Sequence, residues 1–237
     1  MHQEALAQIQ AGADILDVNV GLSGVDEVNL LPQTVRAVMD TVDVPLCIDS
    51  SNSQALEAAL KVYQGKPLIN SVSGQEGSLA RVLPLVKEYR AAVIGLTMDE
   101  EGIPNSVEQR VDIARTIVER AETMGIPRED IIIDCVAMAV GVDTTAGQIV
   151  LETIRRVKAE LGVNLTLGAS NISFGLPERD LINSAFLALA IAAGVNCPIV
   201  DVARMRPAVT AVDLILGRDK YARRYIEAYR QRQKSSN

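Results

Sequence analysis

The amino-acid sequence predicts an α/β fold, a (β/α)₈ TIM barrel that lacks its first strand, in a single domain over residues 1–237. Short β-branched runs alternate with longer amphipathic stretches, which is typical of repeated βα units around a parallel sheet. A chain of 237 residues that is 48% hydrophobic can bury the core of one such barrel. The predicted strands are Ile15–Asn19, Leu46–Asp49, Leu68–Asn70, Ala92–Thr97, Ile131–Asp134, Asn164–Leu167 and Pro198–Asp201.

A predicted helix, Gln3 to Gln10, opens the chain where a barrel would have its first strand. An open barrel exposes two sheet edges, which closure normally removes. We therefore expect that an N-terminal strand is absent from this sequence, through truncation or an internal start codon. A seven-stranded or doubly wound sheet that never closes is the alternative, and the sequence leaves it open.

The segments between the strands predict helices that cover the sheet. Ser106 to Met124 and Thr144 to Leu161 place apolar residues at intervals of three and four between charged positions. After Leu216 the chain becomes rich in Arg and Lys, which indicates a last helix with a solvated face. Helix boundaries are predicted from glycines at the ends and capping residues at the starts. They are Gly12, Gly65, Gly125, Gly162, Ser53, Ser106 and Asp143.

Composition disfavours several classes of function. Thirty acidic against 23 basic residues give a formal net charge of −7, which disfavours nucleic-acid binding. No apolar run approaches the ~20 residues that span a bilayer and no signal segment opens the chain, so we expect a soluble, cytoplasmic protein without a membrane partner. The single histidine, His2, argues against His-based catalysis and His-ligated zinc. Cys47, Cys135 and Cys197 form no CxxC pair and are expected to be buried small hydrophobes.

A polar side chain lies at the end of every predicted strand, or, for the sixth strand, just beyond Gly168. In a barrel these positions share the C-terminal face, where catalytic groups are built from several strands. Asn and Asp also cap helices and form turns, so each single position has a local explanation. Clustering so many of them without a ligand would cost desolvation and charge repulsion, which favours a binding site. These residues are Asn19, Asp49, Asn70, Thr97, Asp134, Ser170, Asn171 and Asp201.

Two ligand chemistries fit this ring of polar groups. Asp49, Asp134 and Asp201 can supply oxygen ligands to Mg²⁺ or Mn²⁺. Alternatively, a carboxylate can accept adjacent N–H donors of a heterocycle while carboxamides bind its remaining edge, and a 2-amino-4-oxopterin presents such an edge. Phosphate is disfavoured, because the strand-end loops hold no GxGxxG or GxxxxGK[ST] sequence. The residues alone leave metal and heterocycle open.

Six segments carry a pattern that is specific in combination, although each is weak alone. They are 13–21, 47–52, 69–71, 94–98, 132–134 and 168–173. In this order and context the chain resembles the pterin-binding family, and in particular the methyltetrahydrofolate:corrinoid methyltransferases, over essentially its whole length. The resemblance implies transfer of the N5 methyl group of 5-methyltetrahydrofolate to the Co(I) centre of a corrinoid carried by a partner protein. It also implies a homodimer, and we expect no metal bound by the chain itself.

The resemblance extends to individual positions. Asp49, Asn70 and Asp134 match the family's pterin-contacting positions. Asn171 matches the carboxamide that hydrogen-bonds N5, and is therefore the predicted catalytic residue. Gly168, Ser170 and Ile199 fall on further substrate-lining positions, Arg179 matches a family arginine whose role the sequence leaves open, and Asn19 and Asp201 are additional candidates.

Departures from the family pattern keep two other functions open. The family's first strand carries a Gly-Glu-Arg-type motif that nothing here matches, which keeps a non-catalytic pterin- or folate-binding module as an alternative. Dihydropteroate synthase, the other alternative, carries a Ser-Arg-Lys run where this chain reads Gly168 to Asn171, and a late Arg/His pair for diphosphate. Both features are missing here, so the synthase is disfavoured.

Two strand-end loops have unusual composition. Cys135 to Val142 is apolar where βα loops are usually polar, so it is either buried under a neighbouring loop or forms an apolar rim that contacts a substrate ring or a docking corrinoid domain. Asp99 to Glu101 is expected to be a solvated turn rather than a metal site.

Overall fold

Within residues 2–22 and 24–235, which the computed structural model describes, six parallel strands form one sheet in chain order. A helix lies in every connection between them, so the predicted parallel α/β barrel fold is confirmed. The outer edge of the first strand pairs with no other strand in the described residues, which is consistent with an incomplete barrel. The strands are β1 Leu16–Asn19, β2 Leu46–Asp49, β3 Leu68–Ser73, β4 Ala92–Leu96, β5 Ile131–Asp134 and β6 Asn164–Thr166.

The described part of the chain also forms nine α-helices, including the predicted first helix and the basic last helix. All but the last of them contribute apolar residues to one continuous core around the sheet. They are α1 His2–Ala11, α2 Glu27–Met39, α3 Ser53–Leu60, α4 Glu76–Glu88, α5 Val107–Thr123, α6 Ala146–Leu161, α7 Arg179–Ala193, α8 Val202–Ile215 and α9 Arg223–Ser235.

Helix boundaries agree with the predicted signals at some positions and differ at others. The Ser106 hydroxyl caps α5 by accepting from the Gln109 amide, and Gly162 ends α6 in the left-handed conformation (φ 68°), both as predicted. The predicted cap Ser53 is wrong, because Asn52 caps α3 by accepting from two backbone amides. Asp143 instead forms a turn with the amide of Thr145 before α6 begins.

The register of the sheet decides which side chains meet inside the barrel. Asn19 lies opposite Asp49, and Asp49 lies opposite Asn70, so three polar residues form one row across β1, β2 and β3. Asp134 of β5 lies opposite Leu96 and Thr166, further along the barrel. This row is offset from the first, as the stagger of a barrel requires. Alternation places both rows above an apolar interior cluster that contains Cys47, Leu68, Ile94 and Ile132.

The predicted seventh strand, Pro198–Asp201, is wrong as a full strand. This segment makes one parallel bridge, between Ile199 and Gly168, with backbone hydrogen bonds from Ile199 to Leu167 and from Ala169 to Ile199. Pro198 has no amide hydrogen, so it cannot donate to a ladder at its position. The segment therefore lies beside β6 in the place of a strand without forming a regular one.

Helix α1 packs against both α8 and α2, so the helices meet where β1 leaves the sheet open. The Arg206 side chain on α8 donates to the carbonyl of Gly12, just after α1. The Gln8 side chain accepts from the Val202 amide at the start of α8. These contacts hold helix α1 against the start of helix α8.

Candidate functional site

The carboxyl ends of β1, β2 and β3 bring Asn19, Asp49 and Asn70 side by side, as the sequence predicts. Asn19 Nδ2 donates to Asp49 Oδ2 at 2.8 Å, while Asn19 Oδ1 accepts from the Gly21 amide at 2.7 Å. Asn19 therefore orients the Asp49 carboxylate at the barrel mouth. The Asn70 carboxamide is half-buried and makes no hydrogen bond within the described chain, so it is available to a ligand.

The Asp49 carboxyl lies in an acidic environment that sequence reasoning missed. Its pKa is raised to about 6, chiefly by burial and also by the charges of Asp17 and Glu27, while the hydrogen bond from Asn19 opposes the shift. Asp17 lies two residues before Asn19 on the inward face of β1, which the strand alternation could have indicated. Glu27 is brought in by α2, where it accepts a hydrogen bond from Ser50, and no local pattern signals that contact.

Asp134 is the most deeply buried carboxyl of the site, with 8% of its surface exposed. Burial raises its pKa to about 6, while the amide of Val136 and the charge of Arg110 act in the opposite direction. Its Oδ1 accepts from the Val136 amide at 2.7 Å, which fixes the carboxylate orientation. A carboxylate so placed is costly unless it accepts further hydrogen bonds, as a ligand with N–H donors would supply.

Asn171 lies in a 3₁₀ turn, Ala169–Ser173, that follows β6. Its side chain is exposed, and its carboxamide makes no hydrogen bond to the described protein. An added Cβ at Gly168 would lie 3.1 Å from Asn171 Nδ2, so glycine permits the close approach of this carboxamide to the strand end. The turn therefore presents a free donor and acceptor at the barrel mouth.

Arg179, whose role the sequence leaves open, holds the turn that carries Asn171. At the start of α7, its Nη2 donates to the Ser170 carbonyl at 2.8 Å and its Nε donates to Ser173 Oγ at 3.0 Å. The Ser173 hydroxyl in turn donates to Asn183 Oδ1 at 2.7 Å. The guanidinium also lies 5.9 Å from the centre of the Phe174 ring. Arg179 thus contacts the turn rather than the open mouth.

The remaining candidate residues are placed differently. Ser170 is exposed beside Asn171, and Ile199 packs on the apolar cluster in the barrel interior. Asp201 caps α8 by accepting from the Arg204 amide and pairs with the Arg204 side chain, so a local role accounts for it. Thr97 is fully buried, so the structure does not bring its side chain to the surface of the site.

The apolar loop after β5 is partly buried and partly an exposed rim, so each of the two predicted arrangements applies to a part of it. Its first part is buried, with Cys135 and Ala137 in the core, and the Val140 amide donates to the Ile172 carbonyl of the Asn171 turn. Its later part is exposed at Met138 (38%) and Val142 (88%). Phe174, 70% exposed on the neighbouring loop, was missed because single aromatic residues carry no periodic signal. We call Met138, Val142 and Phe174 the apolar rim.

Other predicted features have simple outcomes in the described residues. Asp99 forms a turn with Glu101, and Glu100 accepts from the Glu76 amide, in agreement with the predicted turn. No group of three or more His, Cys, Asp or Glu side chains within residues 2–22 and 24–235 is placed to hold a metal ion. The search of those same residues finds no helix long and apolar enough to cross a membrane. His2 bonds to Thr41, away from the strand ends.

A separate cavity of about 590 Å³ lies at the opposite end of the barrel, before β3, β4 and β5. Lys66, Lys87 and Arg90 line it, and Lys66 pairs with Asp130 at 2.5 Å. It contains none of the predicted site residues. In barrels, the chemistry lies at the carboxyl ends of the strands, so we place the site with the polar rows and not in this cavity.

A parallel barrel that gathers carboxylates and carboxamides at its strand ends belongs to the class of barrels that bind a small polar ligand there. The family model described as "Pterin binding enzyme" matches residues 1–201. The chain therefore belongs to the pterin binding enzyme family, and the predicted family is confirmed.

Individual relatives refine this membership. The chain is 33% identical over 238 residues to a methylcorrinoid:tetrahydrofolate methyltransferase of Eubacterium limosum, covering 98% of this chain and 87% of that protein. It is 34% identical over 216 residues to a methionine synthase of Mycobacterium leprae, covering 84% of this chain but 18% of that protein.

Solved structures show the same barrel. The dihydropteroate synthase of Yersinia pestis with a pterine-sulfa conjugate superposes with a TM-score of 0.75 at 18% identity, covering 92% of this chain and 88% of that one. That of Xanthomonas albilineans in complex with 7,8-dihydropteroate gives 0.71 at 26% identity, with coverages of 91% and 84%. At this identity, the likeness to the Yersinia enzyme shows a shared fold only.

Proposed function

We propose that this chain is a methyltransferase that moves a methyl group between N5 of 5-methyltetrahydrofolate and the cobalt of a corrinoid carried by a partner protein. One observation carries the proposal. Two partly desolvated carboxyls lie at the same barrel mouth as two carboxamides that have no protein partner among the described residues. These groups are Asp49, Asp134, Asn70 and Asn171. The likeness over 98% of the chain to a methylcorrinoid:tetrahydrofolate methyltransferase supports this reaction.

In this proposal Asp49, Asn70 and Asp134 hold the pterin. A pterin edge presents adjacent N–H donors, which a carboxylate accepts in parallel, while a carboxamide both donates and accepts along the remaining edge. Asp134 is fixed by the Val136 amide and Asp49 by Asn19, so neither has to reorganise when the ring binds. The two aspartates position the ring and transfer no proton, and Gly168, Ser170 and Ile199 line the same mouth.

Asn171 is the proposed catalytic residue. When the N5–methyl bond breaks, the bonding electron pair stays on N5 and the methyl group goes to the Co(I) nucleophile that the corrinoid supplies. A tertiary amine leaves poorly unless N5 is protonated or receives a hydrogen bond, so a donor aimed at N5 stabilises the transition state more than the ground state. The exposed Asn171 carboxamide can supply that hydrogen bond without carrying charge.

The direction of transfer depends on which partner carries the methyl group. The name of the Eubacterium limosum relative gives the methylcorrinoid as the methyl donor. The sequence resemblance instead implies that the folate is the donor. Both directions pass through the same transition state, so the donor at N5 assists both. Solvent or the pterin supplies and accepts the N5 proton in this proposal.

The apolar rim, Met138, Val142 and Phe174, is the proposed contact surface for the corrinoid protein. These side chains are exposed on two adjacent loops that are joined by the Val140–Ile172 hydrogen bond. Exposed apolar side chains around a polar site are typical of interaction surfaces. The cobalt of a large corrinoid ring would have to reach the methyl carbon on N5, and this open mouth gives it access.

The affinity for 5-methyltetrahydrofolate is expected to fall as the pH is lowered. Asp49 and Asp134 have pKa values of about 6, and the ionised carboxylates accept the pterin N–H groups. Below that pH the ligand must displace a proton, which weakens binding by about tenfold per carboxyl at one unit below the pKa. Calorimetric titration across about pH 5 to pH 8 measures this dependence.

The Asp49→Asn variant is the control for this pH experiment. The ligand's own titration is common to both proteins, so the difference between them isolates Asp49. We expect the variant to have a shallower pH dependence than the wild type. Parallel profiles for the two proteins would contradict the role of Asp49.

Dihydropteroate synthase is the second candidate, favoured by the structural likeness to such enzymes. It must also bind a diphosphate, which requires cations at the mouth. Arg179, the arginine next to the Asn171 turn, is already bonded to Ser170 and Ser173. A dihydropterin diphosphate assay separates this function from methyl transfer, and a non-catalytic module would bind folate without either reaction.

We further propose a cytoplasmic homodimer. Exposed apolar side chains on α7 and α8, Leu181, Leu189 and Ile215, offer a surface for a second copy. All three cysteines are free thiols, which fits a reducing compartment, as does a Co(I) partner. Light scattering at micromolar concentration is expected to give twice the monomer mass of 25.5 kDa, and a monomeric mass would contradict the dimer.

The test of the proposed function is a spectroscopic assay with a reduced corrinoid protein. We expect the Co(I) spectrum to convert to that of methylcobalt on addition of 5-methyltetrahydrofolate and this chain, and to remain unchanged when the chain is left out. Binding of the folate with no change in the corrinoid spectrum would support the non-catalytic module instead.

A further inference from the structure

A buried arginine lies directly behind the candidate site and has no counterpart in the sequence predictions. Arg110 of α5 is 1% exposed. Its Nε donates to the Pro104 carbonyl at 2.7 Å, and its Nη1 donates to the carbonyls of Cys135 and Val136 at 2.8 and 2.9 Å. The guanidinium thus joins the loop after β4 to the loop after β5.

Burying this guanidinium is costly, and the structure gives it no carboxylate within ion-pair distance among the described residues. An apolar side chain of the same volume would fill the space without desolvating a charge. The three carbonyls accept the hydrogens of Nε and Nη1, yet carbonyls at a loop can equally bond to water. A cation at this position therefore calls for a role beyond packing.

The contacts of Arg110 lead to Asp134 in one step. Arg110 Nη1 binds the Val136 carbonyl, and the amide of the same Val136 donates to Asp134 Oδ1 at 2.7 Å. Val136 has φ 50°, a left-handed conformation that a β-branched residue rarely adopts and that persists where the surroundings impose it. The two carbonyls that Arg110 binds, those of Cys135 and Val136, belong to the peptide units on either side of the Val136 Cα.

We infer that Arg110 is a positioning residue of the pterin site, which holds Val136 in its left-handed conformation so that the Val136 amide orients the Asp134 carboxylate toward the ligand. The inference rests on the proposed function, because it assigns Asp134 to pterin binding. Arg110 touches no ligand, so its effect passes through Asp134 alone.

The charge of Arg110 adds to this geometric role. Burial raises the pKa of Asp134, and Arg110 is the charged side chain that opposes the shift, with the Cys135 thiol as the neighbouring titratable group in the described chain. Arg110 therefore favours the ionised carboxylate that accepts the pterin N–H groups. Burial also lowers the pKa of Arg110 itself, but a guanidinium stays protonated at neutral pH.

Two substitutions separate geometry from charge. Arg110→Lys keeps the charge but lacks the planar group that bridges two carbonyls, so we expect KM for 5-methyltetrahydrofolate to rise several-fold with an unchanged pH midpoint. Arg110→Gln removes the charge as well, so we expect KM to rise roughly tenfold or more at neutral pH and the midpoint of the pH dependence of binding to move to higher pH. In both variants kcat should change much less than KM, because Asn171 is untouched.

Arg128→Gln is the matched control. Arg128 also donates to a backbone carbonyl, that of Leu161, but at the opposite end of the barrel. It should leave KM and the pH midpoint unchanged. Circular dichroism and thermal unfolding establish that each variant is folded. If Arg110→Gln fails to fold, the KM of Arg110→Lys tests whether Arg110 positions Asp134.

The outcomes distinguish this inference from the proposed function. If the wild type neither binds nor demethylates 5-methyltetrahydrofolate, the proposed function fails. If the wild type is active and a folded Arg110→Lys retains the wild-type KM, Arg110 does not position Asp134. Equal losses in KM and kcat with an unmoved pH midpoint in Arg110→Gln would indicate a general structural role and would likewise overturn the inference.

Discussion

Replacing Asn171 by Ala is expected to lower kcat for methyl transfer by roughly 100- to 1,000-fold, the usual consequence of removing one preorganised donor to a developing charge. KM for 5-methyltetrahydrofolate should change by less than about tenfold, because the ring is held by Asp49, Asn70 and Asp134. The Asn171 side chain is exposed and bonds to no group of the described protein, so its removal leaves nothing buried and unpaired. The variant should therefore fold like the wild type. Stopped-flow measurement of the corrinoid spectrum gives kcat directly.

Asn105→Ala is the matched control for this substitution. Asn105 is an exposed asparagine on the loop after β4, outside the proposed site. It should leave both kinetic constants unchanged. If Asn171→Ala kept a kcat within a factor of about two of the wild type, hydrogen bonding from Asn171 to N5 would be excluded as a source of catalysis.

Asp134→Asn is expected to raise the dissociation constant for 5-methyltetrahydrofolate by about 100-fold. The substitution keeps an oxygen for the Val136 amide but replaces the charged acceptor of the pterin, and hydrogen bonds to charged groups contribute about 1.5–3 kcal/mol each. Asp134 sits in a desolvated position, where such contacts are strongest. Calorimetric titration of folded protein measures the change.

The same substitution should not reduce thermal stability at neutral pH. The folded-state pKa of Asp134 is raised to about 6 from 3.8, so the folded protein binds that proton more tightly than the unfolded chain. The stabilisation from proton binding is present at low pH and is lost as the pH rises through about 4 to about 6. At pH 7 the ionised Asp134 carboxylate thus lowers the stability of the folded protein, and Asn removes this penalty. Such a penalty is expected of a residue retained for function.

Asp143→Asn provides the control. Asp143 accepts from the amide two residues later, that of Thr145, in the same local geometry as Asp134 and Val136, but it is only half-buried. It should bind 5-methyltetrahydrofolate like the wild type. Equal effects of the two substitutions would show that turn geometry, rather than ligand contact, causes the loss.

The sequence predicts the fold well because its signals are local. β-branched runs identify β1 to β6 within a few residues, and Ser106 and Gly162 mark real helix boundaries. The row of Asn19, Asp49 and Asn70 follows from parallel strands that end at one face, so the strand pattern alone is enough to predict it. The identity of the ligand needs the family resemblance, since a polar row alone suits a metal or a heterocycle.

The features that the sequence does not predict depend on contacts between distant residues. Glu27 reaches the site from α2, and Arg110 reaches it across the gap between two loops. The role of Arg179 appears only when its bonds to Ser170 and Ser173 are known. The run at Pro198 has the composition of a strand, but its missing amide and its position beside β6 limit it to one bridge.

A crystal structure of this chain with 5-methyltetrahydrofolate tests the central claim most directly. The account predicts the pterin at the carboxyl ends of the strands, with its N–H edge within hydrogen-bond distance of Asp134 and Asp49 and with the Asn171 carboxamide facing N5. A pterin bound in the cavity lined by Lys66, Lys87 and Arg90 at the other end of the barrel, or one at the mouth that leaves Asp134 without a ligand contact, would contradict it.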